Sequence, residues 1–326
     1  MKLWSRGTSS DGATYELYHA SDVHGSDRCW RKFLRAGSFY GVDGLIMGGD
    51  LTGKAIVPIA SSDGAYEARL LGETRRASSP AELGELTDAI RFSGMYPWVA
   101  SPNDIARVER DNQAQHELFE RVMLDELARW IALADERTAR DKIDCFVMAG
   151  NDDPWSCDEV LSSASLVQHC DERVSYLGPH EMISLAFSNP TPWNSPRELD
   201  EDALYGKLKA LAEQLDRPQT SIFNLHVPPY DSGLDTANEI NPDLTLVYKG
   251  GQPNPIPVGS TAVREIIQEY QPLVSLHGHI HESRGEARLG RTLALNAGSD
   301  YNSGQIHGVI VRLATDRVLS YQFVVG

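Results

Sequence analysis

The stretch YELYHASDVHG, residues 15–25, carries the strongest signal for the fold. Its first six residues form a short, largely apolar run that predicts a buried β-strand, and the run stops directly before Asp22 and His24. Side chains two positions apart at a strand end point to the same face, so Asp22 and His24 can bind one cation. A single Asp-x-His pair is common by chance, so it indicates a metal site only if other parts of the chain supply further ligands.

The same arrangement recurs along the chain, where short apolar runs stop at residues able to bind metals. The further runs are VDGLIM (42–47) before Asp50, IDCFVMA (143–149) before Asn151, SIFNL (221–225) before His226, and LVSL (273–276) before His279 and His281. Polar residues that collect where strands stop are typical of an α/β sheet with its site at the carboxyl ends of the strands. The pattern therefore predicts an α/β fold with one shared site.

The chemistry of these residues indicates a pair of divalent cations. A carboxylate such as Asp50 can bridge two ions, Asn151 offers an amide oxygen, and the histidines offer imidazole nitrogens. Mixed nitrogen and oxygen ligands suit Mn, Fe, Zn, Co or Ni. The predicted metal ligands are Asp22, His24, Asp50, Asn151, His226, His279 and His281.

The ordered blocks Asp22-Val23-His24, Gly49-Asp50, Gly150-Asn151-Asp152-Asp153, His226 and Gly278-His279-Ile280-His281 resemble those of the calcineurin-like metallophosphoesterase superfamily. The resemblance covers the core strands from about residue 14 to residue 300. It implies a four-layer α/β/β/α sandwich of two mixed sheets flanked by helices, with a dimetal site at the strand carboxyl ends. It also implies that Asp22, His24 and His281 bind the first ion. Asn151, His226 and His279 would bind the second ion, with Asp50 between the two.

The function implied by this resemblance is dimetal-dependent hydrolysis of phosphate esters, as a phosphodiesterase or a phosphomonoesterase. Two ions about 3.5–4 Å apart lower the pKa of a bridging water and hold the attacking and departing oxygens in line. A metal-bridging hydroxide would then attack phosphorus with no covalent intermediate. The expected substrate is a small phosphorylated metabolite or nucleotide. The alternative is a metal-binding scaffold or regulatory protein on the same fold, with weak or no catalysis.

The sequence departs from the family pattern at Asp152, where most members have a catalytic histidine. An aspartate is normally ionised at neutral pH, so it repels phosphate and cannot donate a proton. Either the substrates have good leaving groups or another residue supplies the proton. His277 is the nearest candidate, and the alternative is a histidine that supports a metal ligand or is buried in its strand. Asp153 either supports the loop or orients a ligand histidine through a hydrogen bond, and the alternative is an ordinary turn or cap residue.

The chain is expected to form a single domain over residues 1–326 with two additions. One is an insertion at about 54–139, interpreted as a hairpin plus helices, with one long or two consecutive helices over 104–140. The other is a long loop rich in Pro and Gly at about 228–258, and such loops are often lids or binding loops. The basic residues that bracket the hairpin could contact substrate phosphates or form a solvated face: Lys54, Arg69, Arg75 and Arg76.

Four further helix or hairpin signals complete the pattern. The motifs Ser79-Pro80-Ala81-Glu82 and Ser195-Pro196-Arg197-Glu198 both fit a capping box that opens a helix. A further helix is expected after Gly259-Ser260, and a hairpin is expected to end the chain.

Composition narrows the class of partner. The 326 residues carry a net charge of −16, which disfavours binding to extended nucleic acid. The four cysteines are scattered without a CxxC pair, which predicts reduced thiols and a cytoplasmic location. Residues 1–10 lack the apolar core of a signal peptide, and no apolar run approaches the ~20 residues that span a bilayer. We therefore expect no membrane partner, and the oligomeric state stays open.

Overall fold

A computed structural model describes residues 14–326, so the expectation for residues 1–10 falls outside the described residues. The strands of the first half are β1 (Tyr15–Ala20), β2 (Gly44–Gly48), β3 (Ile56–Ser62), β4 (Ala65–Leu70), β5 (Glu73–Ala77), β6 (Tyr96–Ala100), β7 (Asp144–Met148) and β8 (Gln168–His169). The second half contains β9 (Arg173–Leu177), β10 (His180–Leu185), β11 (Ile222–Leu225), β12 (Thr236–Asn238), β13 (Tyr248–Lys249), β14 (Gln252–Pro253), β15 (Pro255–Pro257), β16 (Val274–His277), β17 (Gly285–Leu289), β18 (Thr292–Asn296), β19 (His307–Ala314) and β20 (Arg317–Val325).

The helices of this range connect and cover those strands. They are α1 (Asp27–Tyr40), α2 (Pro80–Phe92), α3 (Pro102–Val108), α4 (Asn112–Asp141), α5 (Cys157–Ser162), α6 (Glu201–Ala212) and α7 (Thr261–Tyr270), with 3₁₀ turns at Pro218–Thr220 and Tyr301–Ser303. No helix within residues 14–326 is long and apolar enough to cross a membrane.

Two six-stranded sheets form the centre of the fold. The first has the order β20-β19-β1-β2-β7-β8 and the second has the order β17-β18-β16-β11-β10-β9. Within the first sheet β1, β2 and β7 run parallel, whereas β19 is antiparallel to β1. Within the second sheet β10, β11, β16 and β18 run parallel, and β9 and β17 are antiparallel to their neighbours. Both sheets are therefore mixed.

Alternating side chains divide the molecule into four layers, because successive residues of a strand point to opposite faces. Between the sheets, one buried cluster joins Leu17, Ile46 and Phe146 of the first sheet to Ile222, Val274 and Leu295 of the second. On the outer face of the first sheet, Tyr18 and Met47 join the cluster that contains Trp30, Phe33 and Trp130 from α1 and α4. On the outer face of the second sheet, Phe223 and Leu225 join the cluster that contains Leu204, Leu208 and Ile267 from α6 and α7. The predicted sandwich of two mixed sheets flanked by helices is confirmed.

The segment at 54–139, expected to be a hairpin plus helices, contains a four-stranded sheet of order β5-β4-β3-β6 with its own small apolar cluster. Its helix α2 begins after Ser79, whose hydroxyl accepts from Glu82 N, as the first capping box predicts. The helical stretch that follows is divided into α3 and α4, which is one of the two predicted alternatives.

The loop at 228–258 is not wholly irregular, because β12 pairs with β15 and β13 pairs with β14 within it. Ser260 caps α7, as expected after Gly259-Ser260. The hairpin expected at the end of the chain is β19–β20.

The second capping-box prediction is wrong. Helix α6 begins at Glu201 and is capped by Asp200, whose carboxylate accepts from Ala203 N. The Ser195 motif instead closes a loop in which the Glu198 carboxylate accepts from the N–H and O–H groups of Thr191 and Ser195. A serine and a glutamate three residues apart can bond to each other in a tight loop as well as at a helix start. Here they do so in a loop.

Candidate metal centre

Five strand ends meet at one edge of the sandwich. Strands β1, β2 and β7 are parallel within the first sheet, and β11 and β16 are parallel within the second, so their carboxyl ends collect on one side. The residues directly beyond those ends are the predicted ligands, and the structure brings all seven together: Asp22 and His24 after β1, Asp50 after β2, Asn151 after β7, His226 after β11, and His279 and His281 after β16.

One group of donor atoms comes from Asp22, His24 and His281, whose ligand atoms all lie within 4.8 Å of one another. The Nε2 atoms of His24 and His281 are 3.2 Å apart. Nε2 of His281 is 3.3 Å from Oδ1 of Asp22. Two imidazole nitrogens and a carboxylate oxygen thus converge on one point.

A second group comes from Asp50, His226 and His279, again within 4.8 Å. The side-chain oxygen of Asn151 lies 3.0 Å from Nε2 of His226 and 2.8 Å from Nδ1 of His279. The amide oxygen therefore faces the same point as the two imidazoles.

The carboxylate of Asp50 lies between the two groups. Its Oδ2 is 3.5 Å from Nε2 of His24, and its Oδ1 is 3.4 Å from Nε2 of His226. One oxygen is directed to each group, which is the geometry a bridging carboxylate requires.

His226 is held in a single orientation by the backbone. Its Nδ1 is 2.8 Å from the carbonyl oxygen of Gly48, which can only accept, so Nδ1 carries a proton and Nε2 is the ring nitrogen that faces the cluster. Such a bond from the outer nitrogen to a carbonyl is usual for metal-binding histidines.

Four of the seven residues adopt left-handed backbone angles, with φ of 57° at Asp22, 39° at His24, 52° at Asp50 and 64° at His279. Residues other than glycine rarely adopt this region, and such strain collects at functional sites. Backbone hydrogen bonds hold the loops in this strained conformation: Asp22 N donates to Gly49 O, and His24 N donates to Asp50 O. Gly25, with φ of 77°, could not carry a Cβ, which would lie 2.6 Å from the Cα atom of Gly53.

The buried carboxylates and imidazoles shift each other's pKa. Burial raises the pKa of Asp22, but the hydrogen bond and charge of His281 outweigh it and lower the value to about 2. Burial also opposes the shift at Asp50, where the charges of His226 and its neighbours hold the pKa below the ordinary range. At His226 burial lowers the pKa, but Asp50 raises it to about 10. Burial lowers the pKa of His279 to about 4. The carboxylates of Asp22 and Asp50 are thus ionised at neutral pH.

These observations fit divalent cations. The donors are carboxylate, amide and imidazole atoms, they converge in two groups with a shared carboxylate, and the outer nitrogen of His226 is already occupied. Nδ1 of His24 is buried with no hydrogen-bond partner in the described residues.

The three remaining site predictions have distinct positions. Asp152 lies at the rim of the centre, 3.9 Å from Nδ1 of His24, and its carboxylate pairs with Lys54. Its carboxylate also forms a third group of possible ligand atoms with His24 and Asp50, again within 4.8 Å. The fully buried Asp153 accepts from Leu51 N, Thr52 N, Thr52 Oγ1 and Gly150 N, so it joins the loops after β2 and β7.

His277 is also fully buried, with Nδ1 near the carbonyl oxygens of Leu225 and Val227 and Nε2 against Ser275 Oγ. This favours the buried-strand alternative for His277 over a proton-donating role.

Two features of the site were missed from the sequence. The amide nitrogen of Asn151 donates to Ser195 Oγ over 2.7 Å, and Ser195 in turn bonds to Glu198. The ring of Tyr301 lies against the rings of His24 and His281, with centroids 4.7 and 5.8 Å away. The Ser195 motif predicts a helix cap from its sequence, so its place beside Asn151 could not be read from the pattern. Tyr301 follows β18 by only a few residues, so its place after a strand end was the available signal.

Comparison with known proteins supports the fold. No protein-family model matches the chain. A stretch of 159 residues is 29% identical to the uncharacterized protein MJ1162 of Methanocaldococcus jannaschii, and the match covers 48% of this chain and 64% of that relative. The crystal structure of TT1561 from Thermus thermophilus matches over 96% of this chain and 99% of its own, with 15% identity and a TM-score of 0.51.

A structure described as a novel archaeal phosphodiesterase matches over 95% of this chain and 99% of its own, with 13% identity and a TM-score of 0.31. That TM-score is too low to show a shared fold. The likeness to TT1561, at its low identity, shows a shared fold alone.

Proposed function

We propose that this protein is a metal-dependent hydrolase of phosphate esters, related to the calcineurin-like metallophosphoesterases. The observation that carries the proposal is the convergence of seven donor residues from five strand ends into two groups, with the two oxygens of Asp50 directed to different groups. Structural sites tend to close around one ion, whereas two adjoining groups with a shared carboxylate suit two-ion hydrolysis.

The proposed ligand sets follow the geometry. Asp22, His24 and His281 would hold one ion, and Asn151, His226 and His279 would hold the other, with Asp50 shared. Bound divalent cations would supply Lewis acidity and lower the pKa of a coordinated water. The chain itself supplies fixed positions, because His226 is oriented by Gly48 and Asn151 is oriented by Ser195. Mn, Fe, Zn, Co and Ni all remain compatible with these donors.

The proposed substrate is a small phosphorylated molecule, as either a diester or a monoester. The overall charge of −16 opposes a long nucleic acid, while cations at the centre would reverse the local field for a small anion. We also propose a single domain and a reducing, cytoplasmic environment, since α4 of the insertion packs in the main core and Cys29, Cys145, Cys157 and Cys170 are free and buried.

The experiment measures metal content and then hydrolysis of a generic phosphodiester and a generic phosphomonoester with added Mn²⁺. We expect metal-dependent turnover that falls at least about 100-fold in Asp50→Asn and in His226→Ala, because each change removes a ligand. Matched controls are Asp125→Asn and His116→Ala, which alter exposed residues of α4 that are not candidate ligands.

Two outcomes would contradict the proposal. If the protein binds metal and hydrolyses neither ester, it is a metal-binding scaffold on the same fold. If Asp50→Asn and His226→Ala match their α4 controls in activity, the metal assignment is wrong.

A further inference from the structure

The loop after Asp50 brings a basic residue to the rim of the metal centre. The ammonium group of Lys54 pairs with the carboxylate of Asp152. Asp152 is itself anchored at the centre, since its backbone N–H donates to Oδ1 of Asp50 over 3.1 Å. Lys54 is therefore separated from the candidate ligands by one side chain.

The backbone that carries Lys54 is fixed by buried contacts. Leu51 and Thr52 bond to the buried carboxylate of Asp153. Gly53 N donates to the buried hydroxyl of Tyr96 over 2.6 Å, and a Cβ at Gly53 would lie 2.7 Å from Gly94 O. This part of the chain cannot move away from the centre without breaking buried hydrogen bonds, so the position of Lys54 is specified by the fold.

The positive charge of Lys54 matters at the rim of the centre because it stands beside a negative one. The carboxylate of Asp152 at the rim would repel a phosphate, and the ammonium group of Lys54 offsets that charge. Within residues 14–326, Lys54 is the one lysine or arginine that forms an ion pair with Asp152 or with a candidate ligand. Of the other basic residues predicted around the hairpin, Arg75 pairs with Glu73 and Arg76 pairs with Glu67.

The ammonium group of Lys54 also has N–H groups left for a further acceptor. A lysine ammonium has three N–H groups, and Asp152 is its one hydrogen-bonding partner within the described residues. The Lys54 side chain is 64% exposed, so its remaining donors are accessible to an incoming anion.

We propose that Lys54 binds a phosphoryl oxygen of the substrate at the rim of the centre and that Asp152 positions its ammonium group. This inference rests on the proposed hydrolysis of phosphate esters. It assigns Asp152 a positioning role through Lys54 instead of a proton-donating one, which accounts for an acidic residue beside the phosphate site. Lys54 acts as a fixed positive charge, and no proton transfer is required of it.

The test measures the affinity of the Mn²⁺-loaded protein for inorganic phosphate by calorimetry, together with metal content. We expect Lys54→Met to keep its metal and to bind phosphate about 10- to 100-fold more weakly, the loss expected for one charge-assisted hydrogen bond. Lys54→Arg should recover much of that affinity. The matched control is Lys249→Met, because Lys249 is similarly exposed at 67% and is paired with Glu239.

Asp152 is tested through the same readout. Asp152→Asn should keep its metal, but it removes both a negative charge and the partner that positions Lys54. In the Lys54→Met background only the charge matters, so Asp152→Asn should strengthen phosphate binding there, whereas it should weaken binding, or strengthen it less, when Lys54 is present. An equal effect in both backgrounds, or loss of metal from Asp152→Asn, would overturn the positioning role.

The Lys54 proposal fails if Lys54→Met binds phosphate as tightly as Lys249→Met while the unmodified protein hydrolyses esters. If the unmodified protein binds no metal or hydrolyses no ester, it is the proposed function that fails. The two failures are thus distinguishable.

Discussion

At the scale of single residues, Asn151 uses the two ends of its amide for different purposes. The oxygen faces His226 and His279, and the nitrogen donates to Ser195, whose hydroxyl bonds to Glu198. A neutral amide could present either end to a cation, and only the oxygen is a ligand. The Ser195–Glu198 pair removes that ambiguity because it requires a donor from Asn151.

The hydrogen-bonded chain of Asn151, Ser195 and Glu198 leads to a prediction for metal affinity. Ser195→Ala removes the acceptor that orients Asn151. We therefore expect Mn²⁺ affinity at one of two sites to fall about 10- to 100-fold, as is usual when a residue that hydrogen-bonds to a metal ligand is lost. Equilibrium metal titration of the variant against Ser38→Ala, a change at an exposed residue of α1, measures the effect. Unchanged affinity in Ser195→Ala would mean that the cation alone orients Asn151.

At the scale of elements, the insertion is joined to the core through α4. Trp130 of α4 stacks on Trp30 of α1 with centroids 5.0 Å apart, and the Trp30 indole donates to the Trp130 carbonyl. The Trp130 indole in turn donates to the buried carboxylate of Asp27, which also pairs with Arg129. Helix α4 is thus part of the layer that covers the first sheet.

That packing predicts a loss of stability. Trp130→Ala should lower the free energy of unfolding by about 3–5 kcal/mol, because it leaves a cavity beside Trp30 and removes a buried hydrogen bond. Trp193→Ala, at a side chain that is 60% exposed, should cost much less in the same denaturant titration. Equal costs in both variants would contradict the claim that α4 belongs to the main core.

The elements also show which features could be predicted from sequence. The strands β1, β2, β7, β11 and β16 were predictable because each is a local apolar run that ends at a recognisable polar group. Contacts between distant segments were not. Nothing local to Lys54 indicates that it meets Asp152, which lies far along the chain, and the Ser195 motif has the same spacing whether it caps a helix or closes a loop.

At the scale of the whole molecule, the centre lies across both sheets. The first sheet supplies Asp22, His24, Asp50 and Asn151, and the second supplies His226, His279 and His281. Asp50 from the first sheet and His226 from the second approach within 3.4 Å. Each proposed ion would therefore take ligands from both sheets, so neither half of the sandwich could form the site alone.

The most direct test of this account is the number of Mn²⁺ ions bound per chain at saturation. We expect two ions for the unmodified protein, and we expect Asp50→Asn to bind fewer or to bind both far more weakly, because it loses the carboxylate shared by the two groups. The α4 control Asp125→Asn should still bind two. Fewer than two ions in the unmodified protein, or two tightly bound ions in Asp50→Asn, would contradict the dimetal centre.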